Sequence, residues 1–236
     1  MKKIIIGNST LYNCDYREII DEIKADAIFT DPPYDFQAKG GGIGGKRKYL
    51  SDADKLNITV GFDFSVFNGF NHIVSFCSKA QVKDFIVYAE ENGYSWRQLA
   101  WHKTNPTPLT NNNYLPDTEW IFHLWKNQPL GGSYASKKGY FVTQVEKNKF
   151  SHFTVKPLKV VQPLIENMSH IGQTIFDPFA GLMTTAIAGL LTGRKVICCE
   201  INKDIFAEGC ERVANIFSQG DVFSIPDSPL KQSGIF

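Results

Sequence analysis

From Ile175 onward the chain repeats one short pattern that leaves few possible folds. Ile175-Phe176 predicts a strand, Met183 to Leu191 a helix ended by Gly193, Lys195 to Cys199 a second strand, and Asp204 to Phe217 a helix capped by Asn202. A helix between two short apolar strands rules out a hairpin and returns the chain parallel to itself. Earlier segments continue the theme. Ile4 to Ile6 reads as a strand stopped by Gly7-Asn8-Ser9, Tyr16 to Ile23 as a helix, and Ala27 to Thr30 and Ile73 to Phe76 as strands. Ser78 would cap a helix with Val82, Phe85, Ile86 and Ala89 on one face and Gly93 past its end. Leu99 to Lys103 and Glu119 to Trp125 are strands around a proline-bearing loop. A helix from Pro157 to Asn167 would bury Val161, Leu164, Ile165 and Met168, with Pro163 predicting a kink or a later start. The expected fold is α/β, with a doubly wound, mostly parallel sheet.

With 236 residues, 43% of them hydrophobic, the chain can fill one sizeable core, so residues 1–236 are expected to form a single domain. The formal net charge of +1 excludes a uniformly basic coat. Local excess remains: Lys126, Lys137, Lys138, Lys147, Lys149, Lys156 and Lys159 face only Glu146 between positions 126 and 159. Residues 126–150 turn polar and glycine-bearing, which predicts an insertion outside the core sheet. Residues 39–60 open with Lys39, five glycines, Lys46, Arg47 and Lys48, and predict a mobile loop able to close over a polyanion. The five cysteines lack metal or redox spacing and read as reduced and buried. No apolar run approaches the ~20 residues of a membrane span, so a soluble, cytoplasmic protein is expected.

Two strand ends carry chemistry. Asp31-Pro32-Pro33-Tyr34 closes the run Ala27 to Thr30, where open α/β sheets bind ligands. Asp177-Pro178-Phe179-Ala180-Gly181 follows the strand at Ile175, opens a helix, and is followed by Glu200 at the next strand's end. An acid in that last position can bond both ribose hydroxyls of a nucleotide. A pyrophosphate needs a glycine-rich turn free of negative charge, whereas this turn has one glycine and begins with an aspartate. S-adenosylmethionine, a cationic nucleoside without phosphate, suits it better.

Together the two sites resemble those of the amino-methylating DNA methyltransferases, in the subgroup whose catalytic motif precedes its donor-binding motif. The likeness extends through Phe76-Cys77-Ser78, Trp101 to Pro106, and His152 to Pro157, nearly the whole chain. It implies that Asp31, Pro32, Pro33 and Tyr34 hold a flipped base. By the same resemblance Asn8, Asp31, Thr154, Lys156, Asp177, Pro178, Phe179, Ala180, Gly181, Thr184, Glu200 and Ile201 contact the donor. The family's loop usually continues Gly-Ser-Gly-Thr-Thr, and here reads Gly181-Leu182-Met183-Thr184-Thr185.

An exocyclic base amine is a weak nucleophile because its lone pair is delocalised into the ring. Hydrogen bonds from the amine to the Asp31 carboxylate and the Pro32 carbonyl would keep electron density on nitrogen, and Tyr34 would stack on the base. The implied reaction is site-specific methylation of adenine N6 in DNA. N4 of cytosine, and a non-catalytic nucleic-acid-binding subunit that has lost its donor through Met183, are the alternatives. Lys39, Lys46, Arg47, Lys48, Lys137 and Lys138 are the expected phosphate contacts, with Ser133, Tyr134, Gln144 and Asn148 as base-edge readers. A recognition segment so small suggests a short target or help from a second subunit, which leaves room for a homodimer and a cognate restriction endonuclease as partners. No metal site is expected.

Overall fold

The computed structural model of the protein describes residues 1–32, 63–106, 114–145 and 155–219. Nine strands are found there: β1 (Lys2–Ile6), β2 (Ser9–Asn13), β3 (Ala27–Thr30), β4 (His72–Cys77), β5 (Ser95–Lys103), β6 (Thr118–Trp125), β7 (Tyr140–Thr143), β8 (Thr174–Asp177) and β9 (Lys195–Cys199). The α-helices are α1 (Val82–Glu91), α2 (Leu158–Met168), α3 (Thr184–Thr192) and α4 (Lys203–Ser218). All nine strands join one sheet in the order β1-β2-β9-β8-β3-β4-β6-β5-β7. From β2 to β4 neighbouring strands are parallel; β6 lies antiparallel between β4 and β5, and β7 runs parallel to β5. The doubly wound, mostly parallel expectation holds.

Every residue of β3 and β4 is buried, because helices cover both faces at the centre of the sheet. Ile28 and Ile73 point toward α1, where Phe85 stacks on Phe122 with ring centroids 5.1 Å apart. Phe29 and Val74 point the other way, onto Val160, Val161, Leu164 and Ile165 of α2. Beside α2, the helices α3 and α4 cover β2 and β9. Pro163 stands inside α2, which starts at Leu158 and runs on past it. An internal proline costs about 3 kcal/mol, while each of the four fully buried aliphatic side chains contributes roughly 1.5–3 kcal/mol, so packing wins.

Four sequence expectations change. β2 is a strand that the sequence reading passed over: Gly7, at φ +55°, and Asn8 make a two-residue hairpin loop from β1. Tyr16 to Ile23 forms two short 3-10 turns, Tyr16–Glu18 and Ile20–Glu22, in place of an α-helix. Gln81, not Ser78, sits at the N-cap of α1, and its side chain accepts a hydrogen bond from the Ser78 N–H at 2.9 Å. Part of the segment 126–150 belongs to the sheet, because β7 pairs with β5 from Ala100↔Tyr140 to Lys103↔Thr143. The Trp101 indole N–H donates to Thr143 Oγ1 at 2.8 Å and fixes that edge.

The described cysteines are all free and buried. Among the described residues no helix is long and apolar enough to cross a membrane, and no group of three or more acidic, histidine or cysteine side chains could hold a metal ion.

Two buried histidines face each other across β4 and β6, with His72 Nδ1 3.2 Å from His123 Nε2. Burial, then the neighbouring His72, pushes His123 down to about 3, and burial and His170 lower His72. Because the folded state resists protonation, this stability is present above the unfolded histidine range near 6.5 and is lost as pH falls through it. His123 should therefore remove about 2 kcal/mol between pH 7 and pH 5. Urea denaturation at those two pH values should show this difference, and His123→Phe should shrink it by the histidine's share.

Candidate active site

β3 and β8 are adjacent in the sheet, but the chain leaves β3 toward β4 and leaves β8 toward β9 on the other side. That divergence opens a crevice beyond their carboxyl ends. Asp31 follows β3 and Asp177 ends β8, so the two sequence motifs meet at the crevice.

On the β3 side, Lys156 Nζ lies 2.6 Å from Asp31 Oδ2 and 3.1 Å from Glu119 Oε2. Lys103 Nζ lies 2.6 Å from Glu119 Oε1. The Lys156 ammonium also sits 4.7 Å above the Phe76 ring and is only 6% exposed. Burial alone would lower the Lys156 pKa, but Asp31 and Glu119 outweigh it and hold the ammonium charged. Burial likewise raises Glu119, and Lys156 and Lys103 together more than reverse that shift. Pro32 is buried beside Asp31.

The donor-loop side is built from backbone bonds to buried acids. Asp177 accepts hydrogen bonds from Thr185 Oγ1 at 2.5 Å and from the Phe179 N–H at 3.1 Å, so its carboxyl braces the turn from within. Burial pushes Asp177 up to about 7, against those two bonds, with Asp31 and Glu200 adding to the rise. Glu200 accepts from the Gly181 N–H at 3.0 Å and the Asn202 N–H at 2.7 Å, and burial raises it too. Asn13, at the end of β2, donates to the carbonyls of Glu200 and Ile201 and fixes the strand end from below. Tyr16 meets Phe179 edge to face at 5.2 Å. Gly181, at φ +50°, has nothing within 4 Å of where a Cβ would stand, so the loop offers open space over a bare backbone. Two acids around such a backbone fit a cationic nucleoside better than a pyrophosphate.

Met183 resolves the departure in the loop. It adopts the left-handed conformation, φ 60° and ψ 32°, that a glycine would take there without cost. Its side chain is wholly buried among Ala180, Ala186, Phe206 and Val213, turned into the core between α3 and α4. Gly209 of α4 provides the room: a Cβ there would stand 2.6 Å from Met183 Cγ.

Asp31, Pro32, Lys156, Asp177, Pro178, Phe179, Ala180, Gly181, Glu200 and Ile201 thus lie around the switch point. Thr184 begins α3 with its hydroxyl 3.4 Å from Arg212 Nη1, toward α4. Asn8 is not brought there. Because β1 runs antiparallel to β2, its carboxyl end lies at the amino end of the parallel strands, where the Asn8 carbonyl accepts from the Val196 N–H. Lys137 and Lys138 are exposed, but the turn before them is tied to Asn167 at the far end of α2. Lys156 leaves the basic patch altogether, being buried in ion pairs. Pro33, Tyr34, Thr154, Lys39, Lys46, Arg47 and Lys48 lie outside the described residues, as does the loop 39–60. Sequence reasoning missed Asn13, Lys103, Glu119 and Thr185. Glu119 left a trace: a lone acid two residues from Ile121, on what should be an apolar strand face.

An open, mostly parallel sheet with acid-tipped strands at its switch point is the arrangement of α/β enzymes that bind a nucleoside-type ligand beside a second, reacting group. The chain belongs to the N6/N4 DNA methylase family, whose sequence model matches residues 25–210. It is 26% identical over 221 residues to the type II methyltransferase M2.MboI of Moraxella bovis, covering 80% of each chain. It is 28% identical over 130 residues to the DNA adenine methyltransferase YhdJ of Escherichia coli K12, a match spanning 55% of this chain and 38% of that protein. The crystal structure of an M1.HpyAVI-SAM complex superposes with a TM-score of 0.64 at 27% identity, covering 86% of this chain and 99% of that one.

The Met183 arrangement makes a stability prediction. Gly209→Ala should destabilise the protein by roughly 1–3 kcal/mol through overpacking against Met183. Met183→Gly, which empties the space that the added methyl would need, should combine with it less than additively, which chemical denaturation of the two single variants and the double variant would measure.

Proposed function

We propose that this DNA methylase moves the methyl group of S-adenosylmethionine to the N6 amine of adenine at a specific DNA site. The observation that carries the reading is the meeting of Asp31 and the Asp177–Glu200 loop at one switch point. The donor, when bound, supplies an electrophilic methyl group on a sulfonium and departs as a neutral thioether. Glu200 would take the ribose hydroxyls in exchange for one of its backbone bonds, while Asp177 would keep the loop in shape. Across the crevice, the Asp31 carboxylate and the Pro32 carbonyl accept hydrogen bonds from the base amine and localise its lone pair. As the N–C bond forms and the C–S pair leaves with sulfur, nitrogen becomes positive beside the Asp31 carboxylate and then passes its surplus proton to solvent water. Tyr34 would stack on the base once it has left the duplex. Lys39, Lys46, Arg47 and Lys48 would contact phosphates, and Thr154 the donor. Lys137 and Lys138 would serve only DNA that reaches the far edge of the sheet.

Adenine is favoured by the tetrapeptide that begins with Asp31 and by the likeness to YhdJ, a DNA adenine methyltransferase. Relatives named as type II methyltransferases support a role beside a cognate restriction endonuclease. The small recognition segment supports a homodimer on the target.

Incubation with unmethylated DNA and methyl-labelled donor, followed by digestion to nucleosides, should place the label in N6-methyladenine; label only in N4-methylcytosine would overturn the choice of base. Asp31→Ala should lower kcat at least ~10²-fold while donor affinity, measured by calorimetry, changes only a few fold. Absence of any heat with the wild-type protein would favour a binding subunit instead.

A further inference from the structure

Asp31, Lys156, Glu119 and Lys103 form an unbroken row of alternating charge, with successive separations of 2.6, 3.1 and 2.6 Å. They come from four separate places: the end of β3, the segment before α2, the start of β6 and the end of β5. Glu119 is in the middle, in register with Trp101 and on the same strand face as the fully buried Ile121. A carboxylate in such a setting is costly unless its partners are fixed, and here each of its oxygens faces a different ammonium.

We infer that Glu119 is a positioning residue of the transfer site: it holds the Lys156 ammonium between two carboxylates, so that Lys156 orients Asp31 without claiming all of its charge. This rests on the reading of Asp31 as acceptor of the base amine. With Glu119 present, the row is neutral and Lys156 is shared. Without it, a surplus positive charge stands next to a nitrogen that becomes positive during transfer, and Lys156 is no longer shared between Asp31 and Glu119. Both effects oppose the developing charge. Lys103 acts in the opposite sense by drawing Glu119 away from Lys156.

Among the described residues, Asp177 of β8 lies within electrostatic reach of both Asp31 and Glu200. On β5, His102 lies next to Lys103 but bonds Thr118, and the Thr118 hydroxyl in turn donates to Asp117.

The test uses two substitutions of opposite sign, Glu119→Gln and Lys103→Met, in the full chain. Carboxyl-¹³C NMR follows the titration of Asp31, and the pH profile of kcat is recorded beside donor affinity. Glu119→Gln should move the Asp31 titration and the acid limb of kcat to lower pH. It should also lower plateau kcat about 10-fold, with the donor dissociation constant changed less than about 3-fold. Lys103→Met should move the Asp31 titration to higher pH. Unmoved titrations, shifts of the same sign, or wild-type kcat in Glu119→Gln would overturn the inference. Should Glu119→Gln lose its cooperative melt, the sign of the shift in Lys103→Met decides. If opposite shifts appear in a protein whose wild type methylates no DNA, the coupling of Glu119 to Asp31 stands and the proposed function falls.

Discussion

Pairing of β3 with β8 is the constraint on which the rest depends. These strands lie about 150 residues apart in sequence, a long closure that only continuous burial on both faces can hold in place. Their ladder has two residue pairs, Ala27↔Ile175 and Ile28↔Phe176, and a slip by one residue would turn every side chain to the wrong face. Correct register brings Asp31 and Asp177 to one crevice. Both motifs would otherwise be isolated strand-to-loop turns.

The two halves of the crevice handle buried charge differently. On the donor-loop side, Asp177 and Glu200 accept hydrogen bonds from backbone N–H groups, and burial raises both. On the Asp31 side, acids are stabilised by lysines and remain charged. A charged acceptor suits a nitrogen that becomes positive. The overall charge near zero gave no hint of this division, because ion pairs cancel in any sum over the chain.

Much of the site was legible because its residues follow strands. An apolar run ended by Asp-Pro marks a strand's carboxyl end whatever surrounds it, and an acid after the next strand completes a nucleoside site. What misled was direction. Asn8 follows a strand as Asp31 does, but a two-residue loop reverses the chain, and no apolar run in Ser9 to Asn13 announced the second strand. Leu11 is the one fully buried aliphatic side chain of β2. Similarly, Tyr140 to Thr143 looked like part of an insertion, because it is only four residues long, follows Lys137-Lys138-Gly139, and as an edge strand buries only Phe141. Met183 shows a different limit. Its position in the motif was readable, but its harmlessness depends on the missing side chain of Gly209, 26 residues on and one helix away.

By itself the sequence determined the parallel α/β architecture, the strand ends that carry the site, and the acid-bearing loop that suits a cationic donor. These depend on local periodicity and on which residue follows a strand, and both are written in consecutive positions. Tertiary structure alone decided which strands are neighbours, which end of the sheet each strand tip occupies, and which charges touch. Glu119, Lys103 and Lys156 are separated by 16 to 53 positions, and no local pattern links them. Their contact exists because β5 and β6 pair in one register and the segment before α2 lies across them.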